Sequence, residues 1–184
     1  MCGITGSINF KGAPADEALI TRMTNTLVHR GPDDAGFFRD AHVAFGFRRL
    51  SIIDIRGGHQ PLANETGTVR VICNGEIYNY LELRKELERL GHIFTTHSDV
   101  EVIAHGYEAW DENCVDHFAG MFAFALYDQQ TKKVILGRDR LGKKPLYYAQ
   151  IGHEILFASE MKAILAHPRF DRAPSLPALS SYLT

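Results

Sequence analysis

Apolar side chains recur along this chain at two spacings, alternation in short runs and three- or four-residue steps in longer ones, and these divide it into strands and helices. Residues 4–10 read as a strand that begins almost at the amino terminus. Leu19, Met23 and Leu27 recur at four-residue spacing after Pro14 and Asp16, and Gly31-Pro32 closes that helix, because the residue before proline disfavours helical angles. Residues 36–39 and 43–48 form a predicted hairpin, and the apolar run 50–55 breaks at the turn 56–61. Residues 68–74 alternate and are β-branched, which predicts a strand ending at Asn74-Gly75-Glu76. Leu83, Leu87 and Leu90 share one face of a predicted helix over 80–90, stopped by Gly91. Residues 94–96 suggest a short strand, and Ser98 with Glu101 fits a capping box opening a helix that carries Ile103 and Tyr107. Further strands are expected at 120–128, 133–139, 146–149 and 155–158, then a helix capped by Ser159 and a last one over 176–183. Eight or more strands in adjacent pairs with about four helices predict an α+β fold, antiparallel sheets face to face with helices outside.

Composition narrows the function more than the fold. A chain of 184 residues suffices for one domain that buries about 70% of its unfolded surface. Twenty basic against twenty-two acidic residues, net −2, supply no positive field for a nucleic acid or an anionic membrane. No apolar run approaches the ~20 residues of a membrane span and no signal peptide is recognisable, so a cytoplasmic protein is expected. The three cysteines, Cys2, Cys73 and Cys114, follow neither a disulfide nor a zinc pattern, and Cys73 and Cys114 read as small buried hydrophobes. The nine histidines show no metal-ligand spacing, and no metal is expected.

Cys2 is different. Removal of Met1 would make it the amino-terminal residue, joining a thiol to an α-amine that titrates near pH ~7.7–8.0 and can act as its base. Asn74-Gly75 has two readings, a hairpin turn or a pair of oxyanion donors, and Asp99 can be a first-turn helix charge or a substrate ligand. Arg49 has the planar fork suited to a carboxylate, whereas Arg48 beside it reads as a surface charge.

Taken together, the segments 1–4, 29–33, 49–54, 74–79, 98–99 and 138–142 resemble the class II glutamine amidotransferase domain found at the amino-terminal end of glutamine-dependent asparagine synthetases. The resemblance implies a four-layer αββα sandwich, the N-terminal-nucleophile hydrolase fold. It implies a glutaminase domain over residues 1–170, with 171–184 starting a linker or helix towards a synthetase domain that this chain lacks. Cys2 resembles the nucleophile, Asn74 and Gly75 the oxyanion hole, Arg49 the carboxylate clamp, Glu76 and Asp99 the ammonium ligands, and Ile52 and Ile53 a wall of the glutamine pocket. Arg30 is expected to shape or cover that pocket. No cofactor is implied in this chain; ATP and magnesium belong to the missing part. The implied partners are L-glutamine, that synthetase domain and a possible second copy in a homodimer. A non-catalytic module that binds glutamine or dimerises is the alternative.

Overall fold

Along the strands Gly3–Asn9 and Val69–Ile77 the side chains alternate between two buried faces, and this alternation sets the order of the layers. The structure, a computed structural model, describes residues 1–51, 54 and 57–183. In chain order its elements are β1 (Gly3–Asn9), α1 (Glu17–Asn25), β2 (Asp34–Arg39), β3 (Val43–Arg49), β4 (Leu62–Ala63), β5 (Val69–Ile77), α2 (Tyr80–Arg89), α3 (Glu101–Trp110), a 3-10 stretch (Asp111–His117), β6 (Gly120–Asp128), β7 (Val134–Arg138), β8 (Tyr147–Ile151), β9 (Glu154–Ala158), α4 (Met161–Ile164) and α5 (Leu176–Leu183). Two antiparallel sheets result, ordered β2-β3-β1-β9-β8 and β4-β5-β6-β7.

Ile4 and Ile8 of β1 and Ile72 of β5 meet Phe45, Tyr127 and Phe157 in an apolar layer between the sheets. Thr5 points the other way and shares a 2.9 Å hydrogen bond with Thr24 of α1. Leu19 and Met23 of α1 pack with Leu156 and Ile164 on that outer face. On the opposite outer face Val71, Cys73 and Ile77 of β5 lie under Leu83 and Leu87 of α2 and Ile103 of α3. Helices, sheet, sheet and helices therefore stack as the expected αββα sandwich. Among the described residues no helix is long and apolar enough to cross a membrane.

Three local expectations, and one of the two readings of Asn74-Gly75, give way to competing partners. Asn74-Gly75 is no turn: β5 runs through it to Ile77, paired along its length with β6. Residues 94–96 form no strand, because the Thr95 and Thr96 N–H groups donate to the Glu101 carboxylate at 2.7 and 2.8 Å. That use of Glu101 also prevents the capping box; the Ser98 N–H donates instead to Thr96 Oγ1. Ser159 caps no helix, since its hydroxyl accepts from Ile4 N–H at 3.0 Å. Gly91 does end α2, with φ +101° that a residue bearing a Cβ rarely adopts.

Candidate active site

Cys2 sits at the mouth of β1, a strand flanked by β3 and β9 and therefore held on both edges. Ile4 and Ser159 exchange two hydrogen bonds, and Arg30 Nε donates to the Cys2 carbonyl at 2.9 Å. Arg30 thus anchors the backbone of Cys2 rather than covering the pocket. Glu160 holds Arg30 in turn, at 3.0 Å. Burial alone would raise the Glu160 carboxyl, but hydrogen bonds from Arg30, His29 and Lys162 outweigh it and bring it to about 2. The Cys2 thiol lies 3.6 Å from the Leu50 carbonyl and receives the Leu50 N–H at 3.4 Å. Burial pushes this thiol up, and the pull of the Leu50 hydrogen bond, the terminal ammonium, Arg49 and Lys144 only partly offsets it. A thiol so placed stays protonated until a base takes its proton.

Cys2 opens on a cavity of about 190 Å³ lined also by Arg49, Asn74, Gly75, Glu76 and Asp99. The fold therefore gathers six of the residues singled out in the sequence onto one wall system. Ile52 and Ile53, also expected there, lie outside the described residues. The volume is below the roughly 300–1,000 Å³ of drug-sized sites, which suits an amino acid.

Strand geometry explains the donor pair. Asn74 shares the face of Ile72, towards the first sheet. Its side chain is 1% exposed, and neither amide atom has a hydrogen-bond partner among the described residues. Native structures seldom leave a buried amide in that state, so a ligand group is its natural complement. The N–H groups of Cys73 and Ile77 point away from β6, to Gln60 Oε1 at 2.6 Å and Asp99 Oδ2 at 2.9 Å. By the two-residue repeat, the Gly75 N–H between them points the same way, to the open edge of β5. A Cβ on Gly75 would stand 2.2 Å from the Met121 carbonyl oxygen and 2.5 Å from Phe122 Cα, so only glycine fits.

Charges of opposite sign complete the cavity. Arg49, 6% exposed, donates to the Asp54 carbonyl at 2.6 Å, whereas Arg48 turns to the other side and donates to the Gly31 carbonyl at 3.1 Å. Asp99 is 4% exposed, and its carboxyl is raised by burial first and also by neighbouring Glu76, so a cation is favoured beside it. Sequence reasoning missed Lys144, a buried lysine whose Nζ lies 3.4 Å from Met1 Sδ at the same cavity. Its loop is fixed by Asp139, which accepts from the Lys143 and Lys144 N–H groups at 2.8 and 3.0 Å. The 138–142 segment was the available signal. Gln60 was read as turn punctuation, yet its side chain extends the β5 edge beyond short β4.

A thiol and an unpaired amide share one small cavity with a guanidinium and two carboxylates in an αββα sandwich, the set of groups that opening the side-chain amide of an amino acid calls for. The sequence profile described as "Glutamine amidotransferase domain" matches residues 1–184, and the chain belongs to that family. It is 50% identical over 179 residues to glutamine-hydrolyzing asparagine synthetase 3 of Bacillus subtilis (strain 168), covering 94% of this chain and 29% of that protein. It is 44% identical over 168 residues to glutamine-hydrolyzing asparagine synthetase 2 of Arabidopsis thaliana, covering 89% and 28%. The chain thus spans less than a third of the length of these relatives. Among solved structures, glutamine phosphoribosylpyrophosphate amidotransferase of B. subtilis, complexed with ADP and GMP, shares the fold with a TM-score of 0.74 at 24% identity, covering 90% of this chain and 43% of that one.

Proposed function

We propose that this chain hydrolyses glutamine to glutamate and ammonia, with Cys2 as nucleophile once Met1 has been removed. The observation that carries the reading is the buried, unpartnered Asn74 amide in the same cavity as the Cys2 thiol. The α-amine freed on Cys2 takes the thiol proton, and the thiolate attacks the side-chain carbonyl carbon of glutamine. Asn74 Nδ2 and the Gly75 N–H receive the negative oxygen that forms; one such donor is worth ~10²–10³ in rate. Collapse expels ammonia, which leaves with the proton held on the amine, and a glutamyl thioester remains. Water deprotonated by the same amine then cleaves the thioester, and glutamate departs. Arg49 holds the α-carboxylate of the substrate, Glu76 and Asp99 its α-ammonium.

While Met1 is attached, the Cys2 nitrogen is an amide without a basic lone pair, and the Met1 side chain lines the cavity. Its removal supplies the base and widens the pocket together. The asparagine synthetases it resembles support a further reading, that the ammonia is passed to an ATP- and magnesium-using synthetase portion of the parent protein, for amidation of a carboxylate such as that of aspartate. The glutaminase step itself draws no cofactor from this chain. The test is ammonia release from glutamine by protein shown by mass to lack Met1, beside Cys2→Ala. Turnover lost in Cys2→Ala with an unchanged fold supports the reading; ammonia release by protein that retains Met1 removes the α-amine from it.

A further inference from the structure

The outer interface under α3 carries a cluster that glutamine hydrolysis does not use. His105 and Glu108 stand one turn apart on α3, His92 lies just beyond the end of α2, and Glu65 comes from the loop between β4 and β5. One ligand atom from each of these residues lies within 4.8 Å of all the others. His105 Nδ1 is 3.3 Å from Glu65 Oε2 and 3.5 Å from Glu108 Oε2. His92 Nδ1 is 3.6 Å from that same Glu108 oxygen and 3.8 Å from Glu65 Oε1. These separations exceed the roughly 2.7–3.2 Å of an N–H···O hydrogen bond. They approach the ~3.4 Å edge of a tetrahedron whose corners stand about 2.1 Å from a central ion, with Glu65 turning one oxygen to each histidine. His105 is wholly buried, and among the described residues neither of its ring nitrogens makes a hydrogen bond; both face carboxylates at 3.3–3.6 Å.

We propose that Glu65, His92, His105 and Glu108 bind one divalent transition-metal ion, zinc foremost, which clamps the β4–β5 loop and the α2–α3 loop onto α3. The surroundings are already arranged for it. His105 Nε2 faces Glu101 Oε1 at 3.6 Å, which leaves Nδ1 as the ring nitrogen that faces the cluster. Glu101 is itself buried and fixed by Thr95 and Thr96. Glu108 Oε1 accepts from Asn64 Nδ2 at 2.6 Å, which leaves Oε2 for the ion. Two imidazoles favour a transition metal over magnesium or calcium, which take oxygen ligands. Four protein ligands close the coordination shell, the mark of a structural rather than a catalytic ion. None of the four lines the cavity at Cys2, but the clamped loop from Gly91 leads directly into Asp99 at that cavity. The expectation of no metal rested on spacing along the sequence, and these ligands come from three separate segments that only the fold joins.

The test uses the whole chain, stripped with a chelator, dialysed and titrated with zinc. Calorimetry should find one ion per chain, and a hundredfold excess over Kd should raise Tm by ~5–10 °C. Cobalt in place of zinc should give the visible bands of a four-coordinate site without a thiolate charge-transfer band. His92→Gln and Glu65→Gln, both on partly exposed side chains, should each weaken binding at least ~10-fold with an unchanged circular dichroism spectrum. Cys2→Ala should bind as the parent does. Absence of a stoichiometric ion, unchanged affinity in both glutamine variants, or loss of binding in Cys2→Ala would each overturn the proposal; in the last case the ion sits on the Cys2 thiolate.

Discussion

Replacing Asn74 with leucine should make the protein more stable and nearly inactive. Both polar atoms of the Asn74 side chain are buried and unpaired among the described residues, and a buried polar group in that condition costs the folded state about 1–3 kcal/mol. Leucine has a similar branched outline and no polar atom, and it would sit opposite the small Ala123 of β6. Asn74→Leu should therefore stabilise by about 1–3 kcal/mol. At ~2–4 °C per kcal/mol for a chain of this size, Tm should rise ~2–12 °C. Turnover moves the other way: with one of two oxyanion donors gone, kcat should fall ~10²–10³, or about 2.7–4 kcal/mol in the barrier, with KM little changed. Thermal unfolding and ammonia release are measured on the same Met1-processed preparation. Asn74→Ala serves as the companion, with an equal loss of turnover and a smaller gain in Tm because it leaves a void. A lowered Tm in the leucine variant would mean that the amide has a structural partner, and an unchanged kcat would dismiss Asn74 from the oxyanion site.

Other expectations rest on separate contacts. Gly75→Ala places a methyl group within 2.5 Å of the β6 backbone, so Tm should drop by several degrees and activity should vanish; a Tm within about 1 °C of the parent would refute the close approach. Arg49→Ala should raise KM for glutamine at least ~10-fold with a smaller change in kcat, and an unmoved KM would end its role as carboxylate clamp. Asp99, raised by burial and by Glu76, loses its charge as pH falls through its pKa; KM should climb on that acid limb, and the limb should be missing from Asp99→Asn. Glu160 is lowered from 4.5 to about 2, so its contribution to stability is complete above about 4.5 and disappears as pH falls towards about 2. The stability gap between the parent and Glu160→Gln, followed by urea unfolding, should close across that window; a gap independent of pH would contradict the Arg30 pairing.

Much of the fold was legible because alternation and four-residue recurrence reflect burial on one or two faces. The strands at 36–39, 43–48 and 120–128 and the helix at 80–90 fall where periodicity puts them, to within a few residues. What failed was chemistry that a side chain settles at a distance. Asn-Gly signals a tight turn only when the chain has no long neighbour to pair with, and β6 supplies one for all of β5. Ser98 and Glu101 carry the letters of a capping box, but the carboxylate finds better donors in Thr95 and Thr96. Ser159 is taken by Ile4, 155 positions away, a partner that no local rule can name. For the same reason the cavity residues legible in the sequence were those in recognisable segments. Lys144 and Gln60 act through contacts that only the tertiary structure reveals.

The partnership of β1 with β9 bears on the order in which the protein becomes active during synthesis. Cys2 is made early relative to its anchors: its carbonyl is gripped through Arg30 by Glu160, and Ile4 bonds with Ser159, both made some hundred and fifty residues later. Until that distal stretch has emerged and closed the sheet, β1 is held by β3 on one edge alone and Arg30 lacks Glu160, so the thiol stays open to the peptidase that trims Met1 and unable to turn over substrate. A nascent fragment stalled before β9 should therefore carry a processed terminus and release no ammonia, so that the domain cannot discharge its product before it is whole.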